Sequence, residues 1–194
     1  MANYKILDAG MLDAQVICER PRQQLPERVG MNSPAIDVMT DLRKVAPMSI
    51  GCDASLGEAE QRMIAGGIRL LFVTNQYEHV TGIITSRDLD GDRVMRRLAD
   101  AGGRRQDLTV REIMTPQHQI EVLEMGEVAT SRVGDLVATL KHMGRQHALV
   151  VESDREGRQT IRGLLSTTQI GKQLGAAIDT AERAGSIAGL AAMT

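Results

Sequence analysis

The sequence predicts an α/β protein that contains two similar units, each with the element order strand, helix, strand, strand, helix. Three observations support this fold class. Blocks of sequence return in the same order in the two halves of the 194-residue chain. Short apolar runs typical of buried strands alternate with stretches of helical periodicity, and the long helical stretch of each half ends at a glycine.

The repeat consists of four pairs of blocks. They are VMT at 38–40 with IMT at 113–115, the helical stretches 55–68 and 132–145, LLFVT at 70–74 with ALVVE at 148–152, and GIITSRDL at 82–89 with GLLSTTQI at 163–170. Four matching blocks in one order are hard to obtain by chance, so we interpret the chain as a tandem repeat.

The repeat divides the chain into four segments. Residues 34–101 form the first repeat, and residues 102–183 form a linker and the second repeat. Residues 1–33 repeat nothing, and we expect them to form an extended arm that packs against the repeats or a partner subunit. Residues 184–194 are expected to form a loosely held tail.

The elements of the first repeat follow from local signals. They are expected to be a strand at 48–50, a helix at 56–65, strands at 70–74 and 80–85, a helix from Ser86 that is disturbed at Gly91, and a charged helix at 92–101. Ser55 and Glu58 have the spacing of a capping box before the first helix. Thr109 and Glu112 repeat this spacing before another short helix.

The second repeat shows the same order with weaker signals. We expect a strand within 120–125, an irregular segment at 125–131, a helix at 133–143, strands at 148–151 and 161–165, and a final helix with an apolar stripe at Ile170, Leu174, Ile178 and Ala181. The stripe has the spacing of one helix face, so it predicts a helix that packs on the core.

Composition argues against several classes of function. The chain has 23 basic and 25 acidic residues, whereas a nucleic-acid-binding domain usually carries a basic excess. With one Phe, two Tyr and no Trp, it also lacks aromatic platforms for base stacking. No apolar run approaches the roughly 20 residues that span a bilayer, and the N-terminus does not have the pattern of a secretory signal. We expect a soluble, cytoplasmic protein without membrane insertion.

The sequence contains no recognisable motif for metal binding or catalysis. Cys18 and Cys52 match neither a disulfide framework nor a zinc spacing, and both are expected to be free thiols. The four histidines are scattered, and the patterns of hydrolases, zinc proteases and nucleotide-hydrolysing P-loops do not occur. We therefore expect no metal site and no catalysis by this chain.

The block GIITSRDL is the strongest candidate for function. It brings Thr85 to the start of a helix, three residues before Asp88. This spacing fits a capping box, and it also fits a site in which Thr85 holds a phosphate and Asp88 accepts hydrogen bonds from ribose hydroxyls. Arg87 would add a guanidinium for the phosphate. Capping boxes favour Glu or Gln, and the shorter Asp reaches back less well, which favours the binding site.

The second copy of the block, GLLSTTQI, differs at the acidic position. Gln169 replaces the acid, so this copy lacks a charged acceptor for a ribose. Ser166 and Gln169 fit a capping box directly. The sequence therefore predicts one good cleft and one impaired cleft.

The doubled order of blocks resembles a tandem pair of CBS domains, also called a Bateman module. The features that carry the resemblance are the VMT start, the capped helix, the apolar strand and the closing G-h-h-[TS]-x-x-D, where h is apolar. The resemblance covers residues 34–183. It implies two pseudo-symmetric β-α-β-β-α units packed through their sheets, up to two clefts for AMP, ADP, ATP or S-adenosylmethionine, and a homodimer.

The resemblance also implies which residues form the clefts. In this family the threonine contacts the phosphate, the aspartate contacts the ribose, and the base lies between apolar residues of the other repeat. The first site is expected to consist of Ile83, Thr85, Arg87, Asp88, Val122, Leu123 and Arg145. The second, weaker site is expected to consist of Thr40, Arg69, Ser166 and Gln169.

The leading functional hypothesis is a stand-alone regulatory module. It would sense an adenine nucleotide or another adenosyl ligand and alter the activity of a partner protein, which the sequence does not identify. The alternative is an assembly or interaction protein whose clefts stay empty and which acts through its arm, its final helix and its dimer surface.

Overall fold

The computed structural model describes residues 7–17 and 21–180. The strands are β1 (Thr40–Asp41), β2 (Ser49–Gly51), β3 (Leu70–Thr74), β4 (Val80–Thr85), β5 (Thr115–Pro116), β6 (Val122–Glu124), β7 (His147–Ser153) and β8 (Gln159–Ser166). The helices are α1 (Leu56–Gly66), α2 (Ser86–Asp90), α3 (Asp92–Ala101), α4 (Val110–Ile113), α5 (Met125–Thr130), α6 (Val133–Met143) and α7 (Thr167–Leu174). Short 3₁₀ helices lie at Ala35–Val38, Arg105–Asp107 and Gln117–Gln119. None of the described helices is long and apolar enough to cross a membrane.

The strands form two four-stranded sheets, and each sheet takes one outer strand from the other half of the chain. The first sheet has the order β2-β3-β4-β5, and the second has the order β1-β8-β7-β6. β1 lies in the first half of the sequence but pairs antiparallel with β8, whereas β5 lies in the second half and pairs antiparallel with β4. The two halves therefore exchange strands, and neither sheet is complete without both repeats.

Gly82 and Gly163, the first residues of the blocks GIITSRDL and GLLSTTQI, leave room for the exchanged segments, that is, for the stretches of chain that carry β5 and β1. A Cβ atom at Gly82 would lie 2.6 Å from the carbonyl oxygen of Thr115, and one at Gly163 would lie 2.5 Å from the sulfur of Met39. A side chain at Gly82 would require the backbone of the neighbouring segment to move, whereas one at Gly163 would require the Met39 side chain to move. The glycine that opens GIITSRDL and GLLSTTQI is thus explained by close packing of the borrowed segment.

The buried apolar residues of the described part of the chain form three clusters. One cluster lies in each repeat and includes a residue from the exchanged segment, Val110 in the first core and Met39 in the second. The third cluster joins the two sheets and contains the buried side chains of Leu70, Phe72 and Leu149. The units pack through their sheets, so the predicted fold class is confirmed.

Most of the predicted elements are confirmed. The capping box before α1 is complete, because the Ser55 hydroxyl accepts from the Glu58 amide at 3.2 Å and the Glu58 carboxylate accepts from the Ser55 amide at 2.8 Å. The disturbance at Gly91 separates α2 from α3. α6 spans the predicted residues and ends at Gly144, whose φ of 63° is typical of a helix C-terminus.

Two predictions for the second repeat are wrong. The segment after β6 is helical rather than irregular, since α5 begins at Met125 and Val128 anchors it in the core with 2% exposure. A six-residue helix is too short to show an apolar period in the sequence. The final helix ends at Leu174, because Gly175 adopts a φ of 72° and its amide returns to the last turn. Ile178 lies beyond the helix, and Ala181 lies outside the described residues.

Part of the predicted arm lies along the second repeat. The side-chain amide of Gln23 donates to the Met39 carbonyl at 3.0 Å and accepts from the Asp41 amide at 2.7 Å. Farther along, the amide of Val29 donates to the carbonyl of Gln173 at 3.0 Å. Gln23 thus satisfies backbone groups of β1 at the outer edge of the sheet.

Asp41 is a buried carboxylate at the junction of the arm, β1 and β8. Its oxygens accept hydrogen bonds from the Arg162 guanidinium and, at 2.8 Å, from the Arg43 amide. Burial by itself raises the pKa of Asp41, but the hydrogen bonds from Arg162 and the Arg43 amide outweigh it and hold the pKa below its usual range. The ion pair joins the exchanged strand β1 to the sheet that receives it.

The substitution Asp41→Ala is expected to lower the free energy of unfolding by about 2 to 4 kcal/mol, because it leaves the largely buried Arg162 without its main partner. Urea unfolding at pH 7 measures this loss. The matched control is Arg158→Ala, which breaks an exposed pair with Asp154 and is expected to have little effect. Equal stability of the wild type and Asp41→Ala at pH 7 would contradict the prediction.

The contribution of Asp41 also depends on pH. Its folded-state pKa lies below the unfolded value of about 4, so the stabilisation is complete above that pH and is lost as the pH falls through the folded-state pKa. The stability difference between wild type and Asp41→Ala should therefore shrink in acid, which urea unfolding below pH 4 can measure.

Candidate functional site

A cleft lies between the two repeats at the point where β4 enters α2. One wall is this turn, and the opposite wall consists of the segment before β6 and the turn from α6 into β7. The lining residues are Ile83, Thr85, Arg87, Asp88, Thr115, Gln119, Ile120, Glu121, Met143, Gly144, Arg145, Gln146, His147 and Leu149. The cleft therefore depends on both halves of the chain.

The strand exchange brings Thr115 into this cleft. β5 pairs with β4 so that Thr115 lies opposite Ile83, two residues before Thr85. Thr115 is 7% exposed, and its hydroxyl oxygen accepts a hydrogen bond from the Arg93 guanidinium at 3.0 Å. A residue of the second VMT-like block thus becomes part of the wall beside the first GIITSRDL block.

Asp88 makes the complete capping box that the sequence argument disfavoured. Its Oδ2 accepts from the Thr85 amide at 2.8 Å and from the Thr85 hydroxyl at 2.6 Å, while the Asp88 amide donates to the Thr85 hydroxyl at 3.3 Å. Asp135 reaches back in the same way, accepting from the Arg132 amide at 2.8 Å. The expectation that the shorter Asp reaches back less well is therefore wrong in this chain.

The second carboxylate oxygen of Asp88 has a different environment. Oδ1 lies 3.5 Å from Nη1 of Arg93 and accepts no hydrogen bond from the described residues. The side chain is 16% exposed and lines the cleft. Capping thus occupies one oxygen of Asp88 and leaves the lone pairs of the other available to a bound molecule.

Two guanidinium groups face the cleft from opposite sides. Arg87 belongs to α2 of the first repeat, and Arg145 follows α6 of the second repeat. Neither forms an ion pair with an acid in the part of the chain that the structure describes. Such groups bind phosphate through charge-assisted hydrogen bonds, so the cleft offers positive charge from both repeats.

His147 begins β7 and lines the same cleft. Burial and, to a smaller extent, the positive charge of Arg69 lower its pKa to about 4, while the charge of Asp88 acts in the opposite direction. The imidazole is therefore neutral at pH 7 and offers one donor and one acceptor.

The structure brings together five of the seven residues predicted for the first site. Ile83, Thr85, Arg87, Asp88 and Arg145 all line the cleft. The other two do not line it. Val122 packs at the interface of the sheets, and Leu123 packs against the second core. The opposite wall of the cleft includes Gln119, Ile120 and Glu121, which come directly before β6 in the sequence.

Sequence reasoning missed several residues near the cleft. Thr115 could have been found, because it closes a repeated block that had no other assigned role. His147 pairs with Ser166 as Leu70 pairs with Thr85, so the structure makes it equivalent to Leu70 and shifts the alignment of 70–74 with 148–152 by one residue. Arg93 gave no signal, since it lies on a charged helix outside the repeated blocks.

The four residues predicted for the second site have other contacts. Thr40 pairs with Leu164 between β1 and β8, and the carbonyl of Arg69 accepts from the Ser86 amide at 3.0 Å. The Ser166 side chain makes no capping hydrogen bond, so the predicted Ser166/Gln169 box is wrong. Gln169 instead donates to the side chain of Gln173 at 3.2 Å.

The contacts of Gln173 explain why Gln169 bonds to it rather than capping α7. Its side-chain amide donates to the carbonyl of Pro26 at 2.7 Å and to that of Asp37 at 3.0 Å, and the residue is 3% exposed. The pair Gln169–Gln173 therefore serves as an attachment point for the arm. The helix start in the second repeat is used for packing where the first repeat has a capping box.

Comparisons with known proteins agree with this architecture. Residues 35–90 match the family model of the CBS domain. A CBS-domain containing protein from Agrobacterium tumefaciens is 25% identical, with 74% of this chain and 95% of that chain covered and a TM-score of 0.53. An uncharacterized conserved protein from Pyrococcus horikoshii shares the fold at 21% identity, with 73% and 92% covered and a TM-score of 0.51. No curated protein matches the sequence. The predicted resemblance to tandem CBS-domain proteins is confirmed.

The substitution His147→Leu, which installs the residue of the equivalent position in the first repeat, is expected to reduce the pH dependence of stability. The folded-state pKa of His147 lies near 4, below the unfolded value of about 6.5, so its contribution is complete above pH 6.5 and is lost as the pH falls towards 4. Between pH 7 and pH 4.5 the wild type should lose about 1 to 3 kcal/mol more than the variant. Urea unfolding at both pH values measures this difference, and parallel losses would contradict it.

Proposed function

We propose that this protein, with a CBS domain at residues 35–90 and the fold of CBS-domain proteins, is a regulatory module that binds an adenosine ligand in the cleft between its repeats. One observation carries the proposal. The cleft combines the Asp88 carboxylate with the guanidinium groups of Arg87 and Arg145, which lack ion-pair partners among the described residues and come from different repeats. This set matches a molecule with hydroxyl groups at one end and phosphate at the other.

The ligand is proposed to lie across the cleft with each part against a matching group. Oδ1 of Asp88 accepts hydrogen bonds from the ribose, because Oδ2 is occupied by the capping box. Arg87 and Arg145 hold phosphate. The base contacts the apolar side chains that line the cleft, which are Ile83, Ile120 and Leu149. AMP, ADP, ATP and S-adenosylmethionine are the candidate ligands that the family resemblance implies.

Regulation follows from the position of the cleft. A ligand that contacts both Arg87 and Arg145 stabilises the arrangement in which the two repeats approach each other most closely. A partner protein that binds this arrangement more tightly than the alternative arrangement then binds better when the ligand is present. The gain is limited by the difference between its two affinities. We propose that the module acts as a homodimer on another protein in this way.

A second function is favoured by one specific observation. Asp88 completes the capping box of α2, as an acid with a purely structural role would. In this alternative the cleft stays empty, and the protein serves in assembly through its arm and dimer surface. The two functions differ in one measurable property, the affinity of the ligand-stripped protein for adenosine compounds.

The test is calorimetry of the ligand-stripped protein with AMP, ADP, ATP and S-adenosylmethionine. The proposal expects at least one of them to bind, and Asp88→Ala is expected to weaken that binding about 10-fold to 100-fold, because a charged acceptor is lost. Absence of binding by all four compounds would favour the assembly function instead.

A matched control separates binding from capping. Glu58→Ala removes the carboxylate of the capping box before α1, which lies away from the cleft lining. It is expected to lower the melting temperature as Asp88→Ala does while leaving ligand affinity unchanged. If both variants lose affinity equally, the effect of Asp88→Ala comes from destabilisation rather than from the site.

A further inference from the structure

Arg93 belongs to α3 and contacts residues that line the cleft. Three features of the fold fix the position of this helix. Gly91 allows the chain to turn between α2 and α3, because a Cβ atom there would lie 2.6 Å from the Arg87 carbonyl oxygen. Val94 is 4% exposed and packs into the first core. Arg97 pairs with Glu112 of α4 at 2.7 Å. α3 is thereby fixed beside the borrowed strand β5.

The guanidinium of Arg93 connects two residues that line the cleft. Its Nη1 donates to the Thr115 hydroxyl oxygen at 3.0 Å and to the Ile113 carbonyl at 3.2 Å. The same nitrogen lies 3.5 Å from Oδ1 of Asp88 in an ion pair. One cation therefore fixes the hydroxyl of a borrowed strand and the carboxylate of α2 relative to each other.

This geometry determines what each group presents to the cleft. The Thr115 oxygen accepts from Arg93, and its hydroxyl proton donates to no acceptor among the described residues, so it remains available to a ligand. Oδ1 of Asp88 accepts no hydrogen bond from the described residues and lies 3.5 Å from the same Arg93 nitrogen. A donor and a charged acceptor consequently stand side by side within 3.5 Å of one nitrogen.

We propose that Arg93 is a positioning residue that makes the cleft selective for a vicinal diol, that is, for ribonucleotides over their 2′-deoxy counterparts. In a diol, one hydroxyl accepts from Thr115 while the two hydroxyls donate to Asp88. A deoxyribose lacks one hydroxyl and leaves one of these groups unsatisfied in a partly buried place, which lowers its affinity. This inference rests on the proposed function, because it specifies the ligand class of the same cleft.

The experiment compares AMP with 2′-deoxy-AMP, and ATP with 2′-deoxy-ATP, by calorimetry on the ligand-stripped protein. The wild type is expected to bind the ribonucleotide about 10-fold or more tightly than the deoxynucleotide, the equivalent of one charge-assisted hydrogen bond. Arg93→Ala is expected to weaken ribonucleotide binding about 5-fold to 20-fold and to reduce the preference for ribose to about 3-fold or less. A variant that only disturbs the structure would weaken both ligands equally and leave the ratio unchanged.

Two further variants complete the design. Arg97→Ala removes an arginine of the same helix that pairs with Glu112 rather than with the cleft, and it is expected to retain both affinities and their ratio. Arg93→Lys keeps the charge beside Asp88 but not the forked donor, so it is expected to recover part of the ribose preference. Circular dichroism of each variant verifies folding.

Each outcome has a distinct meaning. An undiminished ribose preference in Arg93→Ala overturns the role of Arg93 and leaves the proposed function intact. Equal binding of ribonucleotide and deoxynucleotide by the wild type also overturns the inference, although the cleft still binds nucleotides. Absence of binding by the wild type to all of these nucleotides and to S-adenosylmethionine overturns the proposed function together with this inference.

Discussion

The exchange of β1 and β5 between the repeats is the constraint on which the rest of the structure depends. Each borrowed strand has only two residues, yet β5 sets Thr115 opposite Ile83 and so completes the cleft beside Asp88. β1 carries Asp41 to Arg162 and gives the arm an edge to bind. Because each sheet contains a strand from the other repeat, a change in the relative position of the repeats must also act on the cleft between them.

The helix cap and the proposed ligand site at Asp88 are compatible, because a carboxylate has two oxygens. Oδ2 serves the backbone of α2, and Oδ1 faces only the ion pair with Arg93. Capping would assist the proposed binding, since it fixes the rotation of the side chain and reduces the conformational entropy that a ligand must overcome. Arg93 fixes the same group from the other side. Two sets of contacts therefore hold the Asp88 carboxylate in place.

The sequence predicted those features that depend on neighbouring residues. The apolar runs of β3 and β7, the capping box of Ser55 and the left-handed glycine after α6 each follow from a few consecutive residues. The strand exchange could not be predicted in this way, because two-residue strands have no periodicity and pair over more than 30 residues of chain. The residues predicted for the opposite wall of the cleft lie a few positions too far along the sequence for a related reason. β6 gave no clear start, so Val122 and Leu123 were chosen instead of the residues just before it.

The closing blocks of the two repeats, GIITSRDL and GLLSTTQI, make different side-chain contacts. In the first half Asp88 faces the cation Arg93, and in the second half the equivalent residues are Gln169 and Leu174. Gln169 then hydrogen-bonds to Gln173, which anchors the arm through Pro26. Neutral amides suit these roles, because Gln169 donates to the buried Gln173 side chain and Gln173 donates to two backbone carbonyls without the desolvation cost of a charge. Gln169 thus supports the side chain that anchors the arm, whereas the first repeat has a carboxylate facing a cation at the corresponding positions.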